Sequence, residues 1–184
     1  MLIFPSTKEY IPGLDGLRAL AVVLVMAYHV GILSDGWIGV QIFFVLSGFL
    51  ITRILLVTKQ QANFFWPFLA NFYARRSLRI FPLYYLYIGF FLLAQITTGS
   101  FPEITRWLPW LLLYGYNFVI PIYGFWIEPS TITTHLWSLC VEEQYYLLYP
   151  PLLFFLSRKG LKRALLGLIF TGPLFRWIAM AIIA

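Results

Sequence analysis

An arginine and a histidine share one apolar stretch near the start of the chain. Residues 14–32 read LDGLRALAVVLVMAYHVGI, with Asp15 and Arg18 at one end and His29 near the other. In a helix, Arg18 and His29 are about three turns apart, roughly 16 Å, on nearly the same face. Titratable groups on membrane helices usually turn inward and serve function, because hydrocarbon makes them costly. The alternative is that Arg18 anchors the helix end and His29 sits at the far interface.

A second candidate group is the arginine cluster of the sequence RRSLRIFP. Arg75 and Arg76 precede Arg79 by four and three residues, so both pairs project from one helical side. Guanidinium groups bind phosphate in a bidentate manner and keep their charge at physiological pH. The cluster could hold a phosphorylated cofactor at a cytoplasmic interface. The alternative is that it only sets topology and contacts anionic lipid head groups.

A third candidate is a pair of adjacent carboxylates, Glu142 and Glu143, in the sequence HLWSLCVEEQYY. They open an apolar segment, where solubility does not explain them. Side chains of neighbouring residues point about 100° apart on a helix, so at most one faces a given partner. His135, seven residues earlier, shares a face with Glu142 if the helix begins early enough. One role is to orient a catalytic histidine, and another is to pair with an arginine of a neighbouring helix. The alternative is a buried charge pair that only fixes packing.

The composition determines the class of protein that must position these groups. Hydrophobic residues make up 61% of the chain, charged residues only 11%, and the mean hydropathy is +0.82. Such a balance indicates an all-α, polytopic membrane protein rather than a soluble domain. The net charge of +6 therefore concerns orientation, and the basic residues are too dispersed for a nucleic-acid surface. One cysteine, Cys140, and two histidines in separate segments predict no disulfide and no metal site.

The apolar runs predict five to six membrane segments within a single domain, residues 1–184. They are residues 14–32, read as a retained helix and not a signal peptide, and residues 37–57, 80–96, 135–156 and 164–184. Arg53 lies near the end of the second segment, where its stem can reach an interface. Residues 58–79 are basic, with an aromatic middle typical of a helix in the interface.

Charge predicts the orientation of these segments. Residues 58–79 and 157–163 are strongly basic and should be cytoplasmic, whereas residues 34–36 and 97–106 should be external, which puts the N-terminus in the cytoplasm. Residues 107–119 form an apolar run that is short for a span and contains Pro109 and Gly115. We therefore expect this run to be re-entrant. A full crossing would place residues 157–163 outside.

Four motifs together resemble the acyltransferase-3 family of integral membrane enzymes, which O-acylate extracytoplasmic carbohydrates. They are GLDGLR leading to the first histidine, GVQIFFVLSGFLIT, RRSLRIFP and HLWSLCVEEQYYLLYPPL. The resemblance covers nearly all of the chain, and family domains are longer, so it implies an N-terminal portion of the domain. The residues that match the motifs are Arg18, His29, Arg76, Arg79, Trp137, Ser138, Leu139, Glu142 and Glu143.

The resemblance implies transfer of an acyl group, most often acetyl, from cytosolic acyl-coenzyme A to an extracytoplasmic glycan or lipid-linked sugar. Arg76 and Arg79, with Arg18, would hold the phosphates of acetyl-coenzyme A. Because imidazoles change charge near neutral pH, His29 would be general base or acyl relay. Glu142 or Glu143 would be catalytic by fixing the tautomer of His29.

Three points leave alternatives open. Gln41 stands where family members often carry an acidic residue. Ser47 could be a nucleophile, although a small-residue helix contact is the more common role of a Ser-Gly pair. The chain ends inside the apolar run that contains Arg176, so an inactive remnant is one alternative to an active enzyme. A polytopic transporter is the other, because carriers also place charges inside the membrane.

Overall fold

The computed structural model describes residues 11–61, 64–123 and 132–183, with side-chain surroundings for residues 11–60, 64–119 and 132–171. In these ranges the chain is all-helical, with no strand, as the composition predicts. The helices are α1 Pro12–His29, α2 Ile38–Gln61, α3 Phe65–Thr98, α4 Glu103–Leu112, α5 Tyr116–Tyr123, α6 Leu136–Phe155 and α7 Arg158–Ile183. Arg176, noted above, lies outside the described side chains.

Helices α1 and α2 form a closely packed antiparallel pair. The chain leaves α1 through Gly31, whose positive φ of 74° favours glycine. The next glycine-rich turn brings α2 against α1, where Ala21 is fully buried. A Cβ atom on Gly39 would lie 2.5 Å from the carbonyl oxygen of Ala21 and 2.7 Å from Cγ2 of Val25. The absence of a side chain at this position therefore sets the distance between the two helices.

Helix α3 corrects the prediction of an interfacial helix followed by a separate span. Phe65–Thr98 is one helix of 34 residues, about 51 Å long, with Pro82 in its interior. A proline removes one helical hydrogen bond, and here the helix continues through it. The helix ends where Gly99 adopts a left-handed conformation with φ 72°. The arginine cluster is therefore helical throughout.

Helices α4 and α5 are separated by a break at Leu113–Gly115, where Tyr114 has a φ of 51°. Tyrosine hydroxyls of α3 satisfy the carbonyls left at the end of α4. Tyr84 donates to Leu111 at 2.8 Å and Tyr85 donates to Leu112 at 3.0 Å. The predicted apolar run is thus two short helices and not one continuous segment.

The segment that connects α3 to α6 begins and ends beside the C-terminal part of α3. The ring of Phe101, which precedes α4, is 5.0 Å from the ring of Phe91. The carbonyl of Ile132, which precedes α6, accepts a 2.8 Å hydrogen bond from the hydroxyl of Tyr87. Phe91 and Tyr87 are one helical turn apart on α3. The chain therefore returns to the level from which it left.

Helix α6 lies parallel to α2 and antiparallel to α3. Along α2, Ser47 and Lys59 contact Glu142 and Leu153 of α6 in the same order. The aromatic side chains of α3 contact α6 in the opposite order. One of them also replaces a backbone hydrogen bond that α6 lacks. Pro151 has no N–H for the carbonyl of Leu147, and the hydroxyl of Tyr73 donates to that carbonyl at 2.8 Å instead.

Two described helices are long and apolar enough to cross a membrane, Ile38–Gln60 and Phe65–Thr98. The predicted position of Arg53 is wrong in one respect: its side chain is only 6% exposed, so it lies inside the helix bundle and not at an interface. The basic residues 158–163, predicted to be a loop, form the first turns of α7. Ser157 precedes this helix, and its hydroxyl accepts a hydrogen bond from the N–H of Gly160, which stabilises the helix start.

Candidate functional site

Glu142 lies at the contact between α2 and α6. Its Oε1 accepts a 2.8 Å hydrogen bond from the hydroxyl of Ser47 and another from the hydroxyl of Tyr146, one turn along α6. The carboxylate is half-buried. Gly48, next to Ser47, faces α6, and a Cβ atom there would lie 4.0 Å from the hydroxyl oxygen of Tyr145, an ordinary contact distance. Ser47 therefore makes a helix contact, the more common of the two roles expected for it.

Arg76 of α3 lies beside the two glutamates. Its guanidinium is 5.0 Å from the ring centre of Tyr146 and 5.8 Å from that of Phe72, within the range of a cation–π contact. Its positive charge also attracts the carboxylate of Glu143. No ion pair within 4.0 Å joins Arg76 to either glutamate among the described residues, so the expected pairing with an arginine of a neighbouring helix stays a prediction. The same arginine had been expected to hold a cofactor phosphate.

Glu143 has a buried carboxylate oxygen, Oε1, without a hydrogen-bond partner in the described structure. A buried carboxylate oxygen is costly to leave unpaired. Arg76 acts on this carboxylate through its charge, and Glu142 repels it. Glu143 therefore retains a buried acceptor for a further group, whereas Oε1 of Glu142 is occupied by Ser47 and Tyr146.

His29 is exposed at the end of α1, and its ring is held by its own helix. Nδ1 lies 2.8 Å from the carbonyl oxygen of Val25. A carbonyl can only accept, so Nδ1 carries the proton, and in the neutral ring Nε2 is the free acceptor. The ring of Tyr28 meets it edge-on at 5.5 Å. The chemistry available to this side chain is proton abstraction through Nε2.

The expected contact between a glutamate and His29 is not present in the described part of the chain. The imidazole of His29 is hydrogen-bonded to the carbonyl of Val25 instead, because the ring lies back over the preceding turn of its own helix. The second histidine, His135, lies within electrostatic range of His29. His135 precedes α6 and packs edge-on against Tyr87 at 5.4 Å.

The structure therefore forms two polar centres at different levels of the bundle. His135 and Glu142 are seven residues apart along α6, about 10 Å in axial rise. We call the group of His29 and His135 the upper centre and the group of Arg76, Glu142 and Glu143 the lower centre.

The two remaining predicted arginines lie at the surface of the described chain. Arg18 forms a 2.9 Å ion pair with Asp15, and both side chains are close to half exposed. Arg79, one turn beyond Arg76 on α3, is exposed and has the charge and the fork to bind phosphate. Arg18 would have to exchange Asp15 for a phosphate, which makes Arg79 the more accessible hydrogen-bond donor for a phosphate.

Sequence reasoning missed a polar contact that fixes the chain between α4 and α6. The amide of Gln144 donates to the carbonyl of Tyr114 and to Oδ1 of Asn117, both at 2.8 Å, and Asn117 donates back to Gln144 at 3.2 Å. The sequence did contain a signal for this contact: Gln144 follows Glu142 and Glu143, and a buried amide, like a buried carboxylate, needs hydrogen-bond partners. This contact holds the break after α4 beside the glutamate pair.

Comparison with known proteins identifies relatives over most of the chain. The family model described as the acyltransferase domain matches residues 11–183. The peptidoglycan O-acetyltransferase OatA of Listeria monocytogenes is 36% identical over 162 residues. The O-acetyltransferase OatA of Staphylococcus aureus is 32% identical over 197 residues. The putative peptidoglycan O-acetyltransferase YrhL of Bacillus subtilis is 36% identical over 154 residues.

These matches cover 80%, 96% and 77% of this chain but only 25%, 30% and 23% of the respective relatives. The chain thus spans less than a third of the length of the relatives named here. No solved structure matches it.

Proposed function

We propose that this chain, which belongs to the acyltransferase domain family, is part of a membrane-bound enzyme that transfers an acetyl group to a hydroxyl of peptidoglycan. Support comes from the relatives, two of which carry peptidoglycan O-acetylation in their names. These names also favour acyl transfer over transport. They narrow the predicted acceptor from an extracytoplasmic glycan in general to peptidoglycan.

The observation that carries the proposal is the hydrogen bond between His29 Nδ1 and the carbonyl of Val25. It leaves Nε2 of a neutral ring ready to remove the proton of an acceptor hydroxyl as the hydroxyl oxygen attacks the acyl carbon of the thioester donor. The carbon–sulfur bond of the donor then breaks, and the departing thiolate takes up a proton to leave as coenzyme A. His29 is exposed at the helix end, where a glycan hydroxyl can approach. We assign His29 the role of general base or acyl relay on this ground.

The proposed donor is acetyl-coenzyme A, whose phosphates would contact Arg79 and Arg76, with Arg18 as a third candidate. Exposure of Arg79 supports this role directly. Arg76 is half-buried against the rings of Tyr146 and Phe72, so a phosphate would reach it less easily than Arg79. Arg79 therefore contributes more to donor affinity in this proposal, and Arg76 contributes to the shape of the site.

We propose different roles for the two glutamates, both expected to be catalytic. Glu142 positions α2 against α6 through Ser47 and Tyr146. Glu143 has an unpaired buried oxygen and is the carboxylate available to a substrate group in the lower centre. Since the histidines are about two turns away along α6, this substrate group would be on the donor rather than on the acceptor hydroxyl.

We propose that the protein crosses the cell membrane five to six times within this chain, with a cytoplasmic N-terminus and a re-entrant α4–α5 segment. The return of the chain to the same end of α3 supports re-entrance. With this arrangement residues 157–163 and the arginines of α3 lie toward the cytoplasm, as the distribution of basic residues requires. The histidines then lie toward the outside, where peptidoglycan is.

Expression of the full-length protein in a strain that lacks peptidoglycan O-acetylation tests the proposed function. Isolated peptidoglycan should release acetate on mild base treatment. An acetate level equal to that of the empty strain, with the protein present in the membrane, would exclude peptidoglycan as the acceptor.

A further inference from the structure

The ends of α2 and α6 and the start of α7 enclose a cavity of about 240 Å³. Four leucines of these helices form its apolar wall, and its polar lining residues are Lys59, Gln60 and Arg158. All of its lining residues lie in the described part of the chain, and none is acidic. A space that is apolar on one side and cationic on the other is suited to an anion with an apolar chain attached.

Lys59 is fixed in place at this cavity. Its ammonium donates to the carbonyls of Leu153 at 2.9 Å and Leu156 at 3.0 Å, at the end of α6. The positive charge is favourable there, because the last carbonyls of a helix carry partial negative charge. An ammonium has three N–H donors, so one remains for a ligand.

The cavity lies at a boundary of the candidate membrane span. Lys59 and Gln60 are the last residues of the apolar helix Ile38–Gln60. Arg158 begins α7, whose first turns also contain Lys159, Lys162 and Arg163. Lipid phosphates and the phosphates of soluble cofactors both reach this level, and a basic segment attracts either of them.

We propose that this cavity binds the phosphate of an amphiphile, with Arg158 and Lys59 on the phosphate and the leucine wall on the apolar chain. Guanidinium binds phosphate through two parallel hydrogen bonds. Two sources have this chemistry, an anionic membrane lipid and the acyl-coenzyme A donor. Lipid binding is independent of the proposed acyl transfer, whereas donor binding would rest on it.

Equilibrium binding to the purified full-length protein tests the proposal with two probes, short-chain phosphatidylglycerol and coenzyme A. Arg158→Gln should weaken binding of one probe about tenfold, the effect of losing a charge-assisted hydrogen bond. Arg163→Gln is the matched control, because it removes the same charge from an exposed residue of the same helix outside the cavity. Gln60→Trp fills the cavity without changing charge and should weaken binding of the same probe.

Loss of phosphatidylglycerol binding alone would identify a lipid site, and loss of coenzyme A binding alone would identify a donor site. Equal effects of Arg158→Gln and Arg163→Gln, with no effect of Gln60→Trp, would overturn the proposal in favour of a general basic surface. The lipid result can be obtained from a protein that shows no acetyl transfer, so the two proposals can fail separately.

Discussion

The hydroxyl of Ser47 donates a 2.8 Å hydrogen bond to the carboxylate of Glu142, joining α2 to α6 across 95 residues of sequence. Glu142 is thus bonded to a serine of a neighbouring helix and not to His29. Leaving a buried carboxylate without its donors costs more than the hydrogen bond itself contributes. The contact therefore explains why a serine and a glutamate occur at facing positions of α2 and α6.

Replacing Ser47 by alanine should lower stability modestly and leave acetyl transfer intact. The variant loses one neutral-to-charged hydrogen bond, about 1 to 2 kcal/mol, while Tyr146 continues to bond to Glu142. Thermal unfolding in detergent measures the first effect, and peptidoglycan acetate per molecule of membrane protein measures the second. Abolished acetylation in a stable Ser47→Ala protein would instead favour Ser47 as a nucleophile.

Replacing Gly39 by alanine should destabilise the α1–α2 pair by about 1 to 3 kcal/mol, because the new methyl group meets the backbone carbonyl of Ala21. Gly89→Ala is the matched control, since nothing lies within 4 Å of its Cβ position on α3. Membrane abundance and unfolding temperature should fall only for Gly39→Ala. Equal behaviour of the two variants would contradict the close packing of α1 on α2.

Helices α1, α2 and α6 could be predicted from the sequence because long apolar runs are local signals. The continuity of α3 through Pro82 could not, since the sequence does not show whether a proline bends or ends a helix. The burial of Arg53 was also missed, because a long side chain near a helix end can point either way.

Replacing Arg79 by lysine should weaken coenzyme A binding about tenfold while membrane insertion stays normal. Lysine keeps the charge that sets topology but has no planar fork for phosphate. Arg75→Lys is the control, because Arg75 is also exposed but did not match the family motif. Binding is measured on the purified full-length protein. Unchanged affinity for Arg79→Lys would leave lipid anchoring as the better explanation of the cluster.

Cysteine labelling should show that both ends of the α4–α5 region face the same side. In a background with Cys140 replaced by alanine, cysteines at Ser100 and Thr134 should react with an impermeant thiol reagent added outside intact cells. A cysteine at Gln60 should react only after the membrane is opened, because Gln60 ends a span at the basic side. Protection of Thr134 with labelling of Ser100 would mean a full crossing and contradict re-entrance.

The sequence indicated candidate site residues one by one but not the contacts among them. Motif spacing indicated Arg76 and Glu143 separately, and only the antiparallel packing of α3 on α6 brings them together. The tautomer of His29 was expected to depend on a distant glutamate. It depends instead on Val25, one turn away, which a sequence alone does not distinguish from other carbonyl partners.

The central claim is that His29 accepts a proton through Nε2. His29→Gln keeps a polar side chain of similar size at an exposed position, so the protein should accumulate normally, but it cannot act as a base. Tyr28→Phe, a change at the neighbouring exposed residue, controls for local packing. The measurement is acetate released from the peptidoglycan of cells that contain equal amounts of each full-length protein in the membrane. The account predicts that Tyr28→Phe gives acetate close to wild type and that His29→Gln lowers the transfer rate by about 10²- to 10⁴-fold; wild-type acetate from His29→Gln at equal abundance would contradict it.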